Sequence, residues 1–242
     1  MNLLAIESVT DTVGASVLDD AGRCTTSTLT GMRRHAETMA PAIAEVLERA
    51  GVSLRSLDAI AVDVGPGLFT GLRVGVATAK GLAQGLGVGL LALTSLEILA
   101  AGAFESGWSG TALAVVDGRR AEVFSAHYGP GQAPGELVEL VPGGRHRPER
   151  VSIEAMADGD RPVLACGDGA LRYRELFEAS SRVHVSTTPG YPDPAVLARL
   201  AATRIEAGAA LVGATELEPR YLRDADARIN WVQRAPAVRR GA

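Results

Sequence analysis

Cysteine and histidine are scarce. Cys24 and Cys166, the two cysteines in 242 residues, stand far apart and form no C-x-x-C pair, so neither a disulfide framework nor a thiolate zinc site is indicated. The four histidines, His35, His127, His146 and His184, are widely separated and give no H-x-x-x-H pair, which removes the usual helical metal-binding signature and with it a metallopeptidase. No Ser, His and Asp spacing suggests a nucleophilic triad. Long apolar runs are missing too: the longest uncharged stretch, Gly81 to Leu96, is glycine-rich and shorter than the about 20 residues a bilayer span needs. Met1 to Leu4 has no basic flank and is soon followed by Glu7, unlike a signal peptide, so a cytoplasmic protein is expected. Excess positive charge is also absent. A net charge of −4 and a pI near 5.6 argue against a free-standing binder of many phosphates. The charge is uneven, however: from Pro219 onward six arginines oppose Asp224 and Asp226, making this tail +4 and the remainder −8. A solvated end is the simple reading of such a tail, and contact with RNA or an acidic partner the other.

What is present is 47% hydrophobic residues with only 4% aromatics, the profile of a globular α/β chain built on alanine, valine and leucine. Its most distinctive stretch runs from Asp58 to Gly85. Ala59, Ile60, Ala61, Val62 and Val64 read as a buried strand ending at Gly65. Gly65-Pro66-Gly67 is a sharp reversal, and Thr70 is the expected N-cap of a helix running from Gly71 to Leu86. That helix carries Leu72, Val76, Ala79, Ala83 and Leu86 on one side and Gly71, Gly75, Thr78, Leu82 and Gly85 on another. Gly71, Gly75, Gly81 and Gly85 each cost about 1 kcal/mol relative to alanine. A second backbone lying close along the Gly71/Gly75 side would offset that loss. The alternative is a phosphate cradle at the helix start. Pro66 removes one amide there, and the spacing fits neither the Walker nor the dinucleotide pattern.

The flanking chain reads as alternating strands and helices. Leu3–Ile6, Val13–Leu18 and Arg23–Leu29 form an opening meander, which disfavours an N-terminal dinucleotide unit. A helix with Ala36, Met39, Ile43, Val46, Leu47 and Ala50 at helical spacing closes at Gly51. His35 at its start is read as a capping or surface histidine. Pro41 lies in the first turn or bends the helix. Val88–Leu93 is a strand, and Thr94-Ser95-Leu96-Glu97 is a capping box for a helix through Ala103. Composition breaks at 105–110, giving domains 1–106 and 107–242. The second half restarts with the strands Ala112–Val116 and Ala121–His127, a loop-rich excursion over 129–150 with an edge strand at 136–141, a strand to Cys166, a helix from Ala170 to Glu178, and a last helix over 194–207.

Six ordered segments resemble one family. GPGLFTGLRVG, the RRHAETMAP segment, VVDGRRAEVF, the GDG at 167–169, the opening strand and turn, and EPRYLR are similar to motifs of the TsaB (YeaZ-type) proteins, with Leu68 where that family has serine and Glu7 where it has aspartate. The resemblance implies an α/β, actin-like (ASKHA, ribonuclease-H-like) fold of two related domains, each with a mixed sheet and flanking helices. It implies a non-catalytic partner of TsaD, with TsaE as a third, ATP-hydrolysing member, in threonylcarbamoyl transfer to the tRNA adenosine just 3′ of the anticodon. A homodimer is expected when TsaD is absent, and tRNA contact only through the complex. No cofactor is expected on the chain alone, with ATP or ADP at the complex interface left open. The phosphate turns of this fold would fall at Glu7, Ser8 and Thr10, at Asp117, and at Gly167 and Gly169. Each also reads as an ordinary turn, with Ser8 and Thr10 satisfying their own backbone. The helices 35–50 and 71–86 are expected to form the partner interface through His35, Met39, Ile43, Gly71, Gly75, Thr78 and Leu82. On that reading Gly75→Leu would abolish the complex and leave the monomer folded. The rival is a stand-alone ATP-dependent small-molecule kinase of the same fold.

Overall fold

The computed structural model describes residues 1–30, 35–133, 135–157, 161–188 and 190–222. Arg33 and Arg34 and most of the basic tail, Arg223 onward, lie outside them. Strands β1 (Leu3–Glu7), β2 (Thr12–Leu18) and β3 (Cys24–Thr30) form the expected meander, followed by α1 (His35–Ala50), β4 (Ala59–Asp63), α2 (Phe69–Leu86), β5 (Gly89–Leu93) and α3 (Ser95–Glu105). The second half has β6 (Thr111–Arg119), β7 (Glu122–Pro130), β8 (Leu137–His146), α4 (Pro148–Ala157), β9 (Val163–Cys166), the short helices α5 (Asp168–Arg172) and α6 (Arg174–Phe177), β10 (Val183–Val185) and α7 (Pro194–Glu206).

The two sheets have the same plan. The first is ordered β3-β2-β1-β4-β5 and the second β8-β7-β6-β9-β10. In each, an antiparallel three-strand meander is extended by two parallel strands on the far side of its first strand. The parallel crossovers are right for this composition: β1 and β4 are buried along their whole length and carry continuous apolar runs.

Four apolar clusters stack the elements into five layers. α1 and α2 cover one face of the first sheet through Met39, Val46, Leu72 and Ala79. The other face meets α7 and one side of α3, through Leu197, Ala201 and Ile98. The opposite side of α3, Leu96, Leu99 and Ala103, covers the second sheet, whose outer face carries α4, α5 and α6. α3 is therefore apolar all round because it is buried all round. Its start is fixed by the expected capping box, Thr94 with Glu97.

The division at 106/107 does not coincide with the packed units. α3, from the first half, packs on the second sheet as well as on α7. α7 and the chain after it return to the first: Val212 bridges Leu90, Leu217 enters the first core, and the Arg220 amide donates to the Val64 carbonyl at 2.7 Å. A boundary read from composition misses this because a helix shared by two sheets shows no break in sequence.

Other differences are local. Pro41 lies inside α1, and α2 starts at Phe69 rather than after Thr70. Its N-cap is Leu68, whose side chain supplies no hydrogen bond. The expected 170–178 helix is two short ones broken at Tyr173, and α4 and β10 were not anticipated.

Candidate functional site

The strand ends that bear the candidate phosphate turns are crowded with the chain's own groups. Glu7, the last residue of β1, is fully buried. Its carboxylate accepts from the Val9 amide at 2.8 Å and from the Thr12 hydroxyl at 2.9 Å. Thr10 shares a hydrogen bond with Thr12 at 2.8 Å, and the Ser8 hydroxyl donates to the Gly71 carbonyl at 2.8 Å. The turn thus satisfies its own polar groups, as Ser and Thr at such positions commonly do.

Beside Glu7 sits an acid that the sequence reading did not single out. Asp63 ends β4, one residue beyond the Ile6–Val62 pairing of the parallel strands. Its Oδ1 accepts from the Gly65 amide and the Ser95 hydroxyl, both at 2.8 Å, while Oδ2 has no partner among the described residues. Burial pushes the Asp63 carboxyl up to about 7, with the Glu97 charge adding to it. Burial, and then the neighbouring Asp63, drive Glu7 well above the usual carboxylate range. An acid closing an apolar β-branched run was the available signal.

The second lobe repeats the arrangement at the end of β6. The Asp117 amide donates to Asp168 Oδ1 at 2.9 Å, and the Asp117 carboxylate accepts from the Arg119 amide at 3.0 Å and guanidinium at 2.9 Å. Burial, followed by Asp117, raises Asp168 to about 6. Gly167 and Gly169 are required by packing: a Cβ on either would collide with Val115 of β6. Gly167 also has φ of +107°, a region L-residues avoid. Among the described residues no group of three or more His, Cys, Asp or Glu side chains is placed to hold a metal ion.

The expected partner interface divides in two. Gly71 does lie against a second backbone, but it is the chain's own: a Cβ there would collide with the Ser8 carbonyl, and one on Gly75 would stand 2.5 Å from the Ser8 side-chain hydroxyl. His35, neither a cap nor a surface residue, is buried with Nε2 facing the Thr10 carbonyl at 2.9 Å, where the ring nitrogen donates. Met39 and Ile43 belong to the first core. These five are therefore interior residues. Helical periodicity gave the right face but not what covers it.

Thr78 and Leu82 are only half-buried, and a different surface opens beside them. On α1, Glu45 and Arg49 reach Ser27 and Thr26 of β3, while Ala36, Ala40 and Ala44 are exposed. On α2, Lys80 and Arg73 have partners within the chain. Lys80 donates to the Leu217 carbonyl at 3.0 Å, and Arg73 stacks 3.8 Å over Phe69 while donating to the Tyr221 hydroxyl at 3.1 Å. Val74 and Thr78 are half-buried, and Gly81 and Gly85 are exposed, with open space where a Cβ on either would sit. The outcome is a set of exposed small residues, Ala36, Ala40, Ala44, Gly81 and Gly85, on the two adjacent outer helices.

Two sheets of one plan, joined through shared helices and each ending its first hairpin in a turn at the lobe interface, define an actin-like, ribonuclease-H-like (ASKHA) protein. A model of the family described as "TsaD: tRNA N6-adenosine threonylcarbamoyltransferase" matches residues 29–231. The Bacillus subtilis protein named tRNA threonylcarbamoyladenosine biosynthesis protein TsaB is 30% identical over 236 residues, covering 96% of this chain and 99% of that one. The Escherichia coli protein of the same name is 32% identical, over 53% of this chain and 55% of its own length. A solved structure of YeaZ from Pseudomonas aeruginosa superposes with a TM-score of 0.80 at 30% identity, covering 91% of this chain and 99% of that one. The chain belongs to the TsaB (YeaZ-type) family. Among the described residues no helix is long and apolar enough to cross a membrane.

Proposed function

We propose that this chain is the non-catalytic partner of TsaD in making N6-threonylcarbamoyladenosine in tRNA, at the adenosine 3′ of the anticodon, and that it acts as a cytoplasmic heterodimer that recruits TsaE. The names of its relatives support the pathway. The observation that carries the docking role is the exposed small-residue surface of the outer helices, Ala36, Ala40 and Ala44 on α1 and Gly81 and Gly85 on α2. Such residues let a second helix approach without displacing side chains, and an equivalent helix pair on TsaD fits there as a four-helix contact. In the absence of TsaD, a second copy of this chain takes that place. Any ATP or ADP belongs to the junction of the complex, because the chain's own turns spend their hydroxyls and carboxylates internally. Contact with tRNA follows through the complex.

The test is co-purification of TsaD with Gly81→Gln and Ala40→Gln variants. Both replacements are good helix formers at exposed sites, so the variants fold. Loss of co-elution with a melting transition no lower than that of the parent is the expected result. Normal co-elution would remove this surface from the assembly.

A further inference from the structure

We propose that Arg119 is a clasp between the two lobes, tying the first hairpin turn of one to the first hairpin turn of the other. Its guanidinium bridges two carboxylates from different lobes. Nη2 donates to Asp11 of the β1–β2 turn at 2.8 Å, and Nη1 donates to Asp117 at the end of β6 at 2.9 Å. Asp11 and Arg119 are 108 residues apart in sequence, so the bridge is wholly a product of lobe packing.

The turn that aims this side chain is unusual. Arg119, Arg120 and Ala121 have φ of 62°, 55° and 56°, three successive non-glycine residues in the left-handed region. One such residue is uncommon, and three in a row persist only where surrounding contacts hold them. Those contacts are visible. The Arg119 amide and guanidinium both bind Asp117, which is buried and also receives Arg172 at 3.4 Å, while Asp168 accepts from the Asp117 amide. The backbone strain and the buried acid together present one guanidinium arm to the opposite lobe.

Bridged acid to acid in this way, the two turns are tied to each other by the chain's own charges, beside the apolar α3/α7 layer that the lobes share. The clasp is half-open to water, with side chains 42% and 44% exposed at Arg119 and Asp11. Salt therefore weakens it, since the screening length falls from roughly 8 Å at 0.15 M to about 3 Å at 1 M. When it opens, the shared α3/α7 layer alone holds the lobes, and the gap between the two turns widens.

Pulsed electron spin resonance on the full chain tests this. Spin labels at Asp20→Cys and Glu175→Cys, both exposed and in different lobes, are read in a Cys24→Ser background, where Cys166 is buried. A clasp predicts a longer or broader inter-label distance in both Asp11→Asn and Arg119→Gln, with no further change in the double variant. It also predicts that 1 M salt shifts the parent but not Asp11→Asn. An unaltered distribution in both single variants overturns the proposal. So does a shift in Arg119→Gln alone, which would make the arginine a brace for its own turn. Asp11→Asn replaces a surface side chain and keeps its shape, so it is readable even where Arg119→Gln perturbs the hairpin.

Discussion

Ser8 and Gly71 are locked together in both directions: the Ser8 hydroxyl donates to the Gly71 carbonyl at 2.8 Å, and the Ser8 carbonyl occupies the space a Gly71 side chain would need. A strand-end turn and a helix thus approach as closely as backbones can, and the helix gives up side chains for contact inside its own lobe.

Glycines on the two sides of α2 should therefore respond oppositely. Gly71→Ala forces the turn and helix apart and should destabilise the chain by about 3 kcal/mol in urea unfolding, and Gly75→Leu should do so by at least as much. Gly81→Ala meets open space and should stabilise it by about 1 kcal/mol through helix propensity alone. Equal effects at Gly71 and Gly81 would contradict the packing described.

The acid pair makes stability fall with rising pH. An unfolded aspartate titrates near about 4, whereas Asp63 in the folded chain titrates at about 7, so between these values the folded state binds more protons than the unfolded state. Stability should be highest below that window and decline through it. Asp63→Asn keeps an acceptor for Gly65 and Ser95 and removes the titration, so its melting temperature should vary less between pH 5 and 8 than that of the parent. Parallel pH profiles would show that Asp63 is charged throughout.

Leu68 leaves the first turn of α2 without a side-chain acceptor. Leu68→Ser, the residue common in the family, should supply one and raise stability by about 1 kcal/mol, read as a shift of the urea midpoint at constant slope. No shift would mean that the leucine contributes as much through packing as the serine would through capping.

Much was legible in the chain alone. Apolar runs at β1 and β4, the meander punctuated by Asp19–Gly22, the capping box at Thr94 and the helical spacing of α1 and α2 depend on neighbours within a few residues, and local physics decides them. The fold class followed from ordered motifs spread over the whole chain. What periodicity could not reveal is the identity of the surface a face meets. Gly71 and Gly75 needed a close neighbour, and only the three-dimensional arrangement makes that neighbour Ser8. Asp63 became the companion of Glu7 only when β4 paired with β1, and Arg119 met Asp11 only when the lobes met. The sequence determined most of the elements, the two-lobed plan and the family, because short-range patterning and motif order encode them. Tertiary structure alone decided which glycines face inward, which acids lose their water and which charges join the lobes, because contacts between distant residues have no local signature.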